Sequence, residues 1–212
     1  MRTKHVYLIK HGETEENLQG IHQGQAVGGR LSERGREDIR AVGDGFAAAG
    51  ITVDQMLVSP MARCRESAVL LTAMLLPADV RVDERLAAKN SGHLGGRPRE
   101  LAAAEAARHG VPIHQLRTPG GESSEDVQAR YVDLWTEVCT GPHQTTALIG
   151  HGGGIACLLL WLTGSGFEHY LQHVPGSAGV TWIEADDTAA RIRLTNLPPA
   201  SLSGLLVPRT AR

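Results

Sequence analysis

The chain has 212 residues, enough for one domain with a sizeable core. A net charge of -2 provides no overall field for nucleic acid or for an anionic membrane, so any anion must be drawn by a local pocket. With two Phe, three Trp and three Tyr, core volume falls mostly to Leu, Val, Ile and Ala.

Residues 6–9 form an unbroken apolar run that stops at Lys10-His11-Gly12, which predicts a buried parallel strand. Ser32 then reads as an N-cap, and Ile39, Val42 and Phe46 recur at helical spacing up to Gly50. Residues 55–60 are a second strand stopped by Pro60, and residues 61–76 a helix closed by Pro77. A short strand is expected in 79–86, followed by a glycine-rich, irregular stretch over 87–101. Residues 100–110 and the segment from Ser123 onward are helical, the latter with Val127, Tyr131, Leu134 and Val138 on one face. Residues 145–154 run from a strand into a glycine turn, residues 155–164 form its helix, and 179–186 pairs with 190–197 as a hairpin. Neither a repeat nor a domain boundary interrupts 1–198, which reads as one domain; 199–212 lacks periodicity and is expected to be a disordered tail.

Alternating strands and helices predict an α/β fold, a three-layer α/β/α sandwich around a mostly parallel sheet. Cys64, Cys139 and Cys157 are odd in number and lack metal spacing, so they are expected as reduced thiols in a cytoplasmic protein. The opening apolar run is too short for a secretory leader, and residues 155–164 are too short to span a bilayer.

Right-handed crossovers send the C-terminal strand ends to one edge, where ligands of open α/β sheets bind. That edge collects Lys10-His11-Gly12, Ser59-Pro60 with Arg63 just beyond, and His151-Gly152-Gly153. Cationic donors at strand ends suit a compact anion, most naturally phosphate, and the helix N-termini behind them add N–H groups. A neutral imidazole can attack phosphorus while a second one stabilises the oxygens, with Arg63 as a bidentate clamp. Neither a metal nor a cofactor is called for, because no tight ligand set and no dinucleotide glycine spacing is present. Alone, His11 would be a structural turn histidine, Lys10 a solvated strand end, and Arg63 a partner for Glu66 one turn on. Cys64, beside Arg63, reads as a packed helical cysteine.

The ordered segments LIKHGETEEN, SPMARCRESA, PGGES and LIGHGGGI resemble the histidine phosphatase superfamily, of the phosphoglycerate mutase-like fold, from about Val6 to the terminal hairpin. The resemblance implies a phosphoric monoester hydrolase that phosphorylates His11, with Arg63 and His151 around it. It further implies Asn17 on the phosphoryl group, Gln23 and Gly24 in the lining loop, and the Gly152 N–H facing the anion. The implied partner is a small phosphorylated or other anionic substrate, without nucleic acid or membrane, and a homodimer is compatible with the fold. Residues 90–121 would be a small cap in which His93, Arg97, Arg99 and Arg117 read the substrate; mutases of the family usually carry a longer insertion there. The composition hints at a high-GC bacterium.

Two positions depart from the family pattern. Lys10 stands where Arg is usual, keeping the charge but losing the planar fork. Ala88 stands where the family places its proton-donating Glu, and general acid catalysis contributes ~10²–10⁴-fold. Three readings follow: another carboxylate serves, with Glu122 the first candidate and Glu84 or Glu13 behind it; the leaving group is acidic enough to depart unaided; or the pocket now binds an anion without turnover or runs a non-phosphatase reaction.

Overall fold

The computed structural model describes residues 3–26, 29–98, 100–186 and 189–204. In chain order the strands are β1 (Lys4–Lys10), β2 (Ile21–His22), β3 (Gln55–Val58), β4 (Asp79–Val82), β5 (Arg97–Pro98), β6 (Thr145–Gly150), β7 (Val180–Ala185) and β8 (Ala190–Leu197). The helices are α1 (Glu15–Leu18), α2 (Glu33–Ala48), α3 (Ala62–Leu75), α4 (Glu100–His109), α5 (Ser124–Thr140), α6 (Gly152–Thr163) and α7 (Tyr170–His173).

The main sheet runs β4-β3-β6-β1-β7-β8. β1, β6, β3 and β4 are parallel, whereas the terminal hairpin β7–β8 adds antiparallel to β1. The expected α/β sandwich is therefore built on a mixed, mostly parallel sheet. Its alternating strand residues feed two cores. Tyr7, Ile9, Met56, Val58 and Ile149 pack with Ile39, Phe46 and Leu71 on one face. Val6, Leu8, Leu57 and Leu148 pack with Tyr131, Leu134 and Leu158 on the other. Burying both faces requires strands that read as continuous apolar runs, as β1, β3 and β6 do.

Two segments differ from the sequence expectations. Residues 87–101 are not wholly irregular: a 3-10 turn at Glu84–Leu86 precedes the stretch, another at Gly92–Leu94 lies within it, and β5 pairs with β2 in a separate two-stranded sheet. The cap segment carries its own cluster of Leu94, Ala106 and Leu116. The tail begins with a 3-10 turn at Pro199–Gly204, and Leu202 is buried among α2 residues including Phe46, so its first six residues are ordered. Leu202 is the apolar anchor that the missing periodicity concealed. No helix among the described residues is long and apolar enough to cross a membrane.

Candidate active site

β1, β3 and β6 end side by side, in register Ile9↔Ile149 and Val58↔Ile149, which brings Lys10-His11, Ser59 and His151 together. The His11 backbone is clamped on both sides: its N–H donates to Gly150 O at 3.1 Å, and its carbonyl accepts from Ala178 N at 3.2 Å. Gly12 is required sterically, since a Cβ there would lie 2.4 Å from the Gly35 carbonyl where α2 begins its approach.

His11 is buried, and its Nδ1 lies 2.7 Å from the carbonyl of Gly12. A carbonyl only accepts, so Nδ1 carries the proton and Nε2 keeps its lone pair. Burial, then the neighbouring Arg63 charge, pushes the His11 pKa down to about 3, so the ring is neutral at working pH. The His151 ring stands 5.2 Å away, edge-on at 61°. Its Nδ1 is 3.2 Å from Arg63 Nη2 and its Nε2 is 2.8 Å from Ser59 Oγ. Guanidinium only donates, so His151 holds its proton on Nε2, facing Ser59. Burial, with His11 and Arg63 adding to it, holds His151 well below the usual imidazole range.

Arg63 Nη2 also donates to Gly24 O at 2.9 Å, tying the lining loop to the clamp. The competing ion pair is absent: Glu66 bonds Arg36 at 2.8 Å instead. Gln23 is buried, with Nε2 donating to Thr14 Oγ1 at 2.6 Å, and Thr14 and Asn17 cap α1 reciprocally. Two helix N-termini at the site, those of α3 and α6, lack a side-chain cap, whereas α2 and α5 are capped by Ser32 and Ser123. Uncapped N–H groups at a helix start favour an anion, and Gly152 is the first residue of α6.

Lys10 runs along Gly152, its Cδ 3.4 Å from where a Cβ would sit, and its Nζ donates to the Pro175 carbonyl at 3.0 Å. Cys64 packs 3.5 Å from His151 Nε2, and burial raises its thiol to about 12, so it is a packed neutral thiol.

A model of the histidine phosphatase superfamily (branch 1) matches residues 6–198. The chain belongs to the histidine phosphatase superfamily. A 2,3-bisphosphoglycerate-dependent phosphoglycerate mutase of Brucella anthropi is 27% identical over 197 residues, covering 87% of this chain and 95% of the mutase. A Hydrogenobacter thermophilus protein provisionally named phosphoserine phosphatase 2 is 27% identical over 189 residues, covering 86% of this chain and 90% of its own. The solved mycobacterial glucosyl-3-phosphoglycerate phosphatase, in complex with VO3, is 25% identical with a TM-score of 0.74, covering 91% of this chain and 99% of that one.

Within this histidine phosphatase fold the candidate acids are placed as follows. Ala88 is buried, and its carbonyl accepts from Gln25 Nε2 at 2.8 Å and from Arg130 Nη2 at 3.2 Å. Glu122 is held as a brace: Oε1 accepts from Arg130 Nε at 2.8 Å, and Oε2 from Asn90 N at 2.8 Å and Arg130 Nη2 at 3.2 Å. Glu13 accepts from Ser32 Oγ at 3.1 Å, and Glu84 is exposed at the start of a 3-10 turn. The cap cations are dispersed. His93 meets Glu105 at 3.3 Å, Arg117 bonds Asp126, and Arg97 lines a cleft within the cap beside His93 and Arg108. Arg99 lies outside the described residues.

The sequence reading missed Arg130. It sits on α5, and Glu122 reaches it from the loop before the Ser123 cap, a pairing that leaves no local pattern in the sequence.

Proposed function

We propose that the protein is a phosphoric monoester hydrolase that works without a metal ion on a small phosphorylated metabolite, through a phosphohistidine on His11. The observation that carries this reading is the His11 tautomer. With Nδ1 committed to Gly12 O, a neutral ring presents its Nε2 lone pair beside Arg63 and the edge of His151. Attack by Nε2 on phosphorus places the moving charge among Arg63, Lys10 and the α6 N–H groups. An incoming dianion also favours protonation of His151, which then donates to a phosphoryl oxygen. Phosphatase names among the relatives support the hydrolytic reading.

Trapping label on His11 from a phosphorylated substrate tests it, and a fully active His11→Ala protein overturns it. Because a mutase relative matches equally well, product analysis is part of the test. Released inorganic phosphate supports the hydrolase; transfer to a second hydroxyl of the substrate supports a mutase. Ala88 and the tether of Lys10 to Pro175 favour a second reading, an anion-binding protein with little turnover or a non-phosphatase reaction. Vanadate binding without phosphate release from any ester supports that alternative.

A further inference from the structure

Phosphoryl transfer to His11 expels an oxygen that needs a proton, and the usual position for the donor holds a methyl group at Ala88. Glu122 is consumed by Arg130 and Asn90, and the Lys89 ammonium is turned to the Leu116 carbonyl at 3.3 Å. A different group reaches the first turn of α6. The Tyr170 hydroxyl lies 2.8 Å from the position a Cβ would take at Gly153, two residues past His151. The adjacent glycine, Gly152, carries the Lys10 methylenes, and Gly154 admits the Tyr131 ring. Gly153 and Gly154 therefore make room for the Tyr170 hydroxyl and the Tyr131 ring, while Val174 Cγ1 and then Lys10 lie nearest Gly152, so Tyr170 stands at the helix start two residues past His151.

Tyr170 is half-buried, yet its hydroxyl has no hydrogen-bond partner among the described residues. Tyr131 of α5, the other tyrosine packed against the start of α6, spends its hydroxyl on Leu86 O at 3.2 Å. Burial, then the nearby Cys157, raises the Tyr170 pKa, so the phenol stays protonated.

Resting on the phosphohistidine reading above, we infer that Tyr170 is a catalytic residue that protonates the leaving-group oxygen. As the His11 Nε2–P bond forms and the ester P–O bond breaks, the Tyr170 proton passes to the departing oxygen, which leaves as an alcohol. In the second step water attacks phosphorus and gives a proton to the tyrosinate. The P–N electron pair returns to Nε2, releasing hydrogen phosphate and restoring both side chains.

The experiment compares wild type, Tyr170→Phe, Gly153→Ala and His11→Ala on 4-nitrophenyl phosphate, phenyl phosphate and propyl phosphate. Urea melts establish that each variant is folded. Tyr170→Phe is expected to lose roughly 10²-fold or more on propyl phosphate and less than about ten-fold on the nitrophenyl ester, whose leaving group needs little help. Label from the nitrophenyl ester still reaches His11 in this variant. Gly153→Ala, whose new methyl displaces the hydroxyl, reproduces the pattern. A uniform loss across the three esters, no loss, or a wild type that already ignores propyl phosphate overturns the assignment of Tyr170 while leaving phosphohistidine chemistry intact. A His11→Ala protein that stays active instead overturns the phosphohistidine reading itself.

Discussion

Glu122→Gln separates a brace from an acid. In the structure both carboxylate oxygens are committed, to Arg130 and to the Asn90 N–H, and the Glu122 and Arg130 side chains are only 23% and 16% exposed. The amide keeps the shape but loses the charge and one acceptor, leaving one Arg130 donor unmet. Hydrogen bonds to charged groups contribute about 1.5–3 kcal/mol each, and this site is shielded enough from solvent for that range to apply rather than the surface value. At roughly 2–4 °C per kcal/mol for a domain of this size, the midpoint should fall by about 3–12 °C. Urea denaturation should give the same loss at unchanged slope, since the surface exposed on unfolding is the same. Turnover should fall by a similar factor on 4-nitrophenyl and propyl phosphate, because the wall around Ala88 loosens without any proton being withheld. The reasoning fails if Glu122→Gln melts like wild type and loses activity selectively on the alkyl ester. That result would make Glu122 the acid and its pairing with Arg130 incidental.

Three further outcomes follow from the same geometry. His11 stays neutral down to about pH 3 in the folded protein, whereas the unfolded chain takes up its proton near the ordinary 6.5. Wild type therefore loses stability from this group as pH falls below 6.5, and His11→Gln should show a shallower acid loss, by at most about 3 kcal/mol between pH 6.5 and 4; parallel curves in urea melts across that range refute it. Gly154→Ala drives a methyl to 2.1 Å from the Tyr131 ring, and should cost about 1–3 kcal/mol and lower kcat by shifting His151; a wild-type melt refutes it. Arg63→Lys keeps the charge but drops the fork that spans Gly24 O and His151 Nδ1, so vanadate should bind roughly 10–100-fold more weakly, and unchanged affinity by titration refutes it.

The parts of this molecule legible in its sequence are those written in local pattern. Apolar runs ending in Lys10-His11 and in Gly150-His151 announce strands and place their last residues on one edge, and Arg63 follows from the helix that starts beyond Ser59. Pairings between distant segments leave no such trace. Lys10 meets Pro175 across 165 residues, and Arg130 meets the Ala88 carbonyl across 42, so neither tether has a local signature. Short elements are hidden for a related reason: α1 and α7 have four residues each, about one turn, too few for a period to register.

That second failure bears on the chemistry. Three glycines after His151 announce that something approaches the helix closely, because a glycine run at a helix start is costly without such a use. What approaches is set by α7, the element the sequence conceals. Carboxylates near the motifs, such as Glu122 and Glu13, are visible in sequence as replacements for the family's acid. The fold instead delivers a phenol from a one-turn helix, and does so at the glycine whose mutation to alanine would remove it. If that glycine tolerates a methyl group without any change in leaving-group dependence, Gly153 serves packing alone and the proton comes from solvent.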